Sequence, residues 1–433
     1  MDQISGSPSS PVNTSPTEPS PARSNSMIFI LITSMIDAIG FGIMLPVLPQ
    51  LIKDLTGSDI HIAAIYGGWL MFSYAIMQFF CSPIVGNLSD RFGRRPVLLI
   101  ALFALGIDYV IMGLAPNILW LFIGRILSGA AGATYSTANA YVADISPPEK
   151  RAQNFGLLGA AFGAGFVIGP ALGGLLAGDL FKGTFIGDFG VRTPFFAAAF
   201  LCLINFLYGF FILKESLPEK DRRKFVWQRS NPLGAALTLK KNPFVFVLLI
   251  VLFIFFLGHF SLPSVWSYYT IEKFNWSEQE IGFSLAFAGI IMMIVQGGLI
   301  RVAIPKLGEV RSAYLGLTSM IISFFGYAIA TQGWHMYAWI LAGSFANFST
   351  PAIQGIMSKN MSTDTQGELQ GAVASLNGLT AIVGPLVMTG LFGYFSSNSA
   401  PIYLPGAPFF VAAILTTVSF LLFISATKKA EKL

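Results

Sequence analysis

Twelve runs of roughly twenty apolar residues follow one another from about residue 27 to the C-terminus. They are centred near residues 38, 75, 105, 129, 166, 203, 256, 291, 321, 345, 380 and 417. About twenty residues of α-helix cross the hydrocarbon of a bilayer. In lipid every backbone donor and acceptor must be satisfied internally, which leaves helices or a closed barrel. These runs are continuously apolar rather than alternating, so helices follow. The expected fold class is an all-α integral membrane protein with twelve transmembrane helices. Composition agrees: the chain is 54% hydrophobic and only 11% charged, against about 25% charged in a typical soluble protein.

Charge orients the runs. If the N-terminus is cytoplasmic, 21 of the 26 Lys and Arg fall on one side. They are Arg23, the Arg91/Arg94/Arg95 turn, Lys150 and Arg151, eight between Lys214 and Lys241, Arg301, Lys306, Arg311, Lys359 and three at the C-terminus. Lys53, Lys182, Arg192 and Lys273 fall on the other side, and Arg125 lies within a run. Cytoplasmic loops carry the excess of Lys and Arg, so both termini are predicted inside. The net charge of +5 is then a topology signal; a nucleic-acid surface would need basic residues gathered on a soluble face with stacking aromatics. The Ser- and Pro-rich stretch 1–26 is predicted to be a disordered cytoplasmic tail without the basic start and cleavage site of a signal peptide. Cys81 and Cys202 fall within runs and read as buried thiols, and His61, His259 and His335 are too scattered for a metal site. No metal or cofactor is expected.

The chain also repeats itself. Thr193-Pro-Phe-Phe-Ala-Ala-Ala-Phe-Leu201 returns as Ala407-Pro-Phe-Phe-Val-Ala-Ala-Ile-Leu415, 214 residues on. Gly169-Pro170 returns as Gly384-Pro385 and Gly156 as Gly371, both 215 on. The expected organisation is a six-helix half over 27–214, a cytoplasmic linker over 215–242, a second six-helix half over 243–427 and a cytoplasmic end over 428–433. An even number of spans per half makes the repeats parallel, related by an axis along the membrane normal.

Two motifs stand out. Gly86-Asn87-Leu88-Ser89-Asp90-Arg91-Phe92-Gly93-Arg94-Arg95 is a charged tight turn between two spans, and Gly93 suits it because glycine tolerates positive φ. The fifth run carries Gly156-x8-Gly165-x3-Gly169-Pro170-x2-Gly173-Gly174. Its small residues permit close helix approach, and Pro170 removes a backbone donor and bends the helix; together they would allow one half to rock against the other. The turn closely resembles the loop between helices 2 and 3 of major facilitator transporters. The glycine series matches the antiporter signature of drug/proton antiporters. That resemblance pairs Arg94 with Asp144 at the foot of the fourth span, with Asp90 against a helix end, and implies a cytoplasmic gate. A topology anchor made of positive charge alone would leave Asp90 and Asp144 unexplained.

Within that group the sequence is similar to the tetracycline/proton antiporters. The likeness is carried by Asp37-Ala-Ile-Gly-Phe-Gly-Ile-Met-Leu-Pro-Val-Leu-Pro49, Gln78, Ser89 to Leu99, Asp108-Tyr109, Gly124-Arg125-x3-Gly129, Phe283-Ser-Leu-Ala and Pro351-Ala-Ile-Gln-Gly355. It implies a twelve-span pump exchanging cytoplasmic drug for an inward-moving proton. Two positions depart from that pattern: Met293 stands where those pumps carry a histidine in the eighth span, and Met320 where they carry an acid in the ninth.

Ionisable groups within the spans are costly, on the order of 2.5–3.5 kcal/mol at a helix centre, and are functional candidates by default. Asp37 is placed about ten residues, roughly 15 Å, into the first span, without a cationic partner within its own helix, as a proton carrier requires. Asp108 and Arg125 lie either side of the turn at Pro116 in antiparallel neighbours, at nearly equal depth, where they can pair; brace and switch both remain open. Candidate cavity residues are Gln78, Asn139, Trp266, Tyr269, Asn347, Gln354 and Asn377, with Asn139 and Gln354 related by the 215-residue repeat. A Phe-rich wall with few polar anchors suits an amphipathic organic molecule more than a sugar.

The expectation is a proton-coupled exporter in the bacterial inner membrane, driven by the proton gradient. Its partners would be a small-molecule substrate, protons and lipid, and it would work as a monomer. An importer or uniporter on the same scaffold is the alternative; a non-transporting receptor would call for a structured soluble domain, which the sequence lacks. No nucleotide-binding loop or nucleophile elbow supports an enzyme.

Overall fold

The spans form where the apolar runs predict, and polar residues punctuate them. In the computed structural model, residues 21–132, 134–147, 150–178, 187–225, 242–362 and 365–430 are described. Of the tail expected over 1–26, residues 1–20 lie outside the described residues and 21–26 are already helical, at the head of the first span; most of the linker, 226–241, also lies outside them. The first three spans are Pro21–Thr56, Ile60–Phe92 and Arg94–Leu114; the fifth and sixth are Arg151–Ala177 and Thr193–Ile212. The seventh runs through Pro243–His259 and Ser261–Phe274, and the eighth through Glu278–Ile294, a π-turn at Val295–Leu299, and Ile300–Leu307. The ninth, eleventh and twelfth are Glu309–Ile329, Gln366–Phe395 and Ala407–Ala430.

Helix starts follow local chemistry. Asn242 accepts from the Val245 amide at 3.2 Å with Pro243 in the first turn. Ser277 and Glu280 form a reciprocal capping box at the head of the eighth span, which satisfies two otherwise orphaned donors.

Eleven helices among the described residues are long and apolar enough to cross a bilayer. The tenth span is present but interrupted, passing through Gly333–Ala342, a 3-10 turn at Gly343–Phe348, and Ser349–Lys359. Pro351 offers no N–H to the Asn347 carbonyl four residues back, and the Asn347 side chain donates to the Ser344 carbonyl at 2.9 Å instead. The fourth span is described as Ile118–Ala131 and Thr134–Ile145. Glutamines meet the two spans at equivalent places in the repeat: Gln78 donates to the Gly132 carbonyl at 3.3 Å, and Gln296 to Asn347, 215 residues beyond Gly132, at 3.0 Å.

The antiporter glycines pack helices. A methyl group on Gly169 would lie 2.6 Å from the Ile39 carbonyl, and one on Gly173 2.5 Å from that of Ile43. Gly165 faces the Met35 carbonyl in the same way. These three therefore hold the fifth span against the first, within one half, while Pro170 and Gly174 meet the other half, at Gly282 and at Glu278 and Gln279. A methyl group on Gly156 would meet nothing within 4 Å. The rocking surface expected of the whole series thus narrows to Pro170 and Gly174.

The halves meet along two seams on the side away from the termini. In one, Gly282 sits on the Pro170 carbonyl and Gly289 on Val167; in the other, Gly68 sits on Thr389 and Gly393 on the His61 carbonyl. Ser267 also donates to the Leu45 carbonyl across the halves at 2.6 Å. Toward the termini the seams part.

Candidate functional site

Between the parted halves lies a cavity of about 880 Å³. Its deep end is lined by Phe41, Arg125 and Phe260, and its mouth by Gly86, Asn87 and Asp90 beside the turn that joins the second and third spans. It is open on the termini side and closed on the other. Among the residues expected in its wall, Gln78, Asn139 and Asn377 line it. Trp266 and Tyr269 do not: they are buried in the second half, where the indole donates to Ser284 at 3.0 Å and the phenol to the Tyr327 carbonyl at 2.7 Å. Both keep a polar tip satisfied inside an apolar body, a packing role that a residue list does not separate from a ligand role. Asn347 belongs to the break in the tenth span, and Gln354 lies outside the lining.

At the deep end the expected pair is formed. Arg125 donates to Asp108, both buried, and also approaches the Met112 sulfur at 2.9 Å. The second Asp108 oxygen and the Arg125 Nε have no hydrogen-bond partner. Gly124 leaves the room that this oxygen occupies. Tyr74 was not singled out by sequence, yet its ring lies under the Arg125 guanidinium at 5.7 Å and its hydroxyl accepts from Gln78 at 3.2 Å. It stands within electrostatic reach of Asp37, Asp108 and Arg125 together. Its one-turn spacing from Gln78 on the second span was the signal available. Asp37 is half-buried and has no hydrogen-bond or ion-pair partner among the described residues.

At the mouth, Arg94 Nη1 lies 2.6 Å from Asp90 Oδ1 and its Nε 3.3 Å from Asp144 Oδ2. Gly93 has φ 101°, a conformation that favours glycine. The carboxylate on the helix end here is that of Glu215, from the chain leaving the sixth span. It accepts from the Arg94 amide at 2.8 Å and the Arg95 amide at 3.2 Å, where orphaned amides and the helix dipole favour an anion. Asp90 instead pairs with Arg94, and its carbonyl accepts from the Arg223 amide at 3.0 Å. Ser216 donates to Asp144 at 3.0 Å and Tyr141 to the Lys214 carbonyl at 2.6 Å, so the start of the linker is fastened over the turn.

The sequence pattern of the Major Facilitator Superfamily matches residues 30–385. The chain belongs to the Major Facilitator Superfamily. A class C tetracycline resistance protein of Escherichia coli is 38% identical over 374 residues, covering 86% of this chain and 91% of that protein. A class B tetracycline resistance protein of the same organism is 33% identical, covering 90% and 95%. Multidrug resistance protein 2 of Bacillus subtilis is 30% identical, covering 84% and 88%. Among solved structures, the human organic anion transporter MFSD10 shares the fold at a TM-score of 0.67 and 21% identity, covering 93% of this chain and 100% of that one. An inward-facing, occupied bacterial homologue of the lysosomal transporter Spinster does so at 0.73 and 15% identity, covering 94% and 97%. This superfamily member is a multi-pass membrane protein of the major facilitator fold.

Proposed function

We propose that this protein is a proton-coupled exporter of small amphipathic molecules, tetracycline-like compounds among them, working by alternating access in the bacterial inner membrane with both termini cytoplasmic. One observation carries the reading: the cavity is open on the termini side and sealed on the other, and its deep end meets a buried Asp108–Arg125 pair with Asp37 close by. A cavity with one mouth is the shape of an intermediate in alternating access, and embedded carboxylates are the groups that carry protons in such proteins. The apolar lining with few polar anchors favours an amphipathic cargo. Relatives that are tetracycline and multidrug resistance proteins agree in kind.

The proton gradient supplies the energy, and no cofactor is needed. The two halves within one chain suffice for a working monomer. The second half brings Met320 into its core and leaves Met293 partly exposed beside Gly163, so proton exchange falls to the first half. Inverted membrane vesicles test this directly. Adding tetracycline or a related amphipath should release protons and drive uphill uptake that a protonophore abolishes. Uptake indifferent to the proton gradient would leave a uniporter.

A further inference from the structure

The second half carries its own copy of the gate at the cavity mouth, with the charges reversed. Gly308 lies 215 residues beyond Gly93 and shares its backbone, at φ 78°. The same step takes Arg94 to Glu309 and Asp144 to Lys359, and these two form an ion pair at 2.9 Å. Position for position, the cation of one half is the anion of the other.

Reversal matters because of what each turn faces. The fifth and eighth spans run antiparallel along one seam, touching at Val167–Gly289 and then at Gly163–Met293. Each step moves four residues down one helix and four up the other. Carried about three turns further, from Gly163 to Arg151 and from Met293 to Pro305, the register brings the first turn of the fifth span beside the Gly308 turn. In this structure that stretch stands apart: a methyl group on Gly156, Gly159, Gly297 or Gly298 would meet nothing within 4 Å, and Arg151 is exposed. Lys306 and Arg311 flank the turn, leaving Glu309 as its carboxylate. Across the other seam, the eleventh span starts with an acid, Glu368, opposite in sign to Arg151 at the start of the fifth.

We propose that Glu309 is a gating residue: when the termini-side mouth closes, its carboxylate meets Arg151 at the start of the fifth span, while Lys359 holds it in the open state. The proposal rests on the alternating-access reading above. Opposite charges across the seam then draw the halves together, and like charges there would hold them apart.

The test exchanges the pair without breaking it. E309K/K359E preserves the local ion pair but sets three cations, at 306, 309 and 311, against Arg151. Transport should fall about fivefold or more, the scale of one exposed pair lost and one repulsion gained, and adding R151E should restore it. Wild-type transport by E309K/K359E would reduce the pair to a local brace and overturn the proposal, as would failure of R151E to rescue. Closure is read separately by G159C/G297C in a chain with Cys81 and Cys202 replaced by serine. A disulfide should form readily, more slowly with E309K/K359E, and at the original rate with R151E added. Equal rates in all three would overturn Glu309 as a gate. Crosslinking in a chain that transports nothing would instead count against the transport reading.

Discussion

The two halves share a plan and differ in chemistry at the same places. The third and ninth spans correspond residue for residue, 215 apart, and the first pieces of the fourth and tenth start 215 apart. Asp108 in the first half corresponds to Ser323 in the second, and Arg125 to Ile340. Asp108 and Arg125 form a buried ion pair; Ser323 merely donates to the Trp339 carbonyl at 3.0 Å, and Ile340 is buried among apolar neighbours. At the termini-side turns both halves keep an ion pair but reverse its sign. On the proposed function, shared geometry would supply the moving parts, and the substitutions would leave proton handling to the first half and an apolar core to the second.

The sharpest way to break that division is Asp37→Asn, a permanently protonated mimic. It should abolish proton-driven accumulation while leaving substrate binding and downhill exchange, measured by counterflow in vesicles. Uphill transport persisting in Asp37→Asn would move the coupling site elsewhere. Asp108→Asn leaves Arg125 buried and unpaired, which costs roughly 3–5 kcal/mol; it should depress the thermal midpoint of the purified protein, and a midpoint equal to wild type would show the pair to be dispensable. The corresponding change in the second half, Ser323→Ala, should shift it far less, about 1 kcal/mol for one neutral hydrogen bond.

At the mouth, Asp90→Asn and Arg94→Ala should remove most transport with the protein still in the membrane, and cysteines at 94 and 144 should crosslink. Normal pumping by both variants would leave the turn a topology anchor. An effect as small as that of Ser323→Ala belongs to Glu215→Ala. It removes a carboxylate from the head of the third span, worth about 1 kcal/mol, and should lower the thermal midpoint slightly and loosen the linker to protease. An unchanged cleavage rate would mean that the linker is held by Tyr141 and Ser216 alone.

Much of this was legible without coordinates. The Asp108–Arg125 and Arg94–Asp144 pairings were readable from spacing around a turn and from family resemblance. Trp266 and Tyr269 were placed in the cavity because a polar aromatic in a span looks the same from sequence whether it faces a cargo or a carbonyl. Nothing in its own stretch of chain marks Tyr74 off from the other aromatics of the apolar runs, or Glu215 from the other charges that follow the sixth span.

Sequence alone determined the number of spans, their expected orientation and the division into two halves. Transfer of side chains into lipid is a local cost that adds along the chain, and a repeat is visible in one dimension. Only the tertiary structure decided which faces of those helices meet. The rotation of each helix sets whether Gly174 touches the other half while Gly169 packs within its own, and whether the cavity has its mouth at Asp90. That rotation is fixed by many weak contacts between residues distant in sequence, none of which leaves a signal in its own stretch of chain.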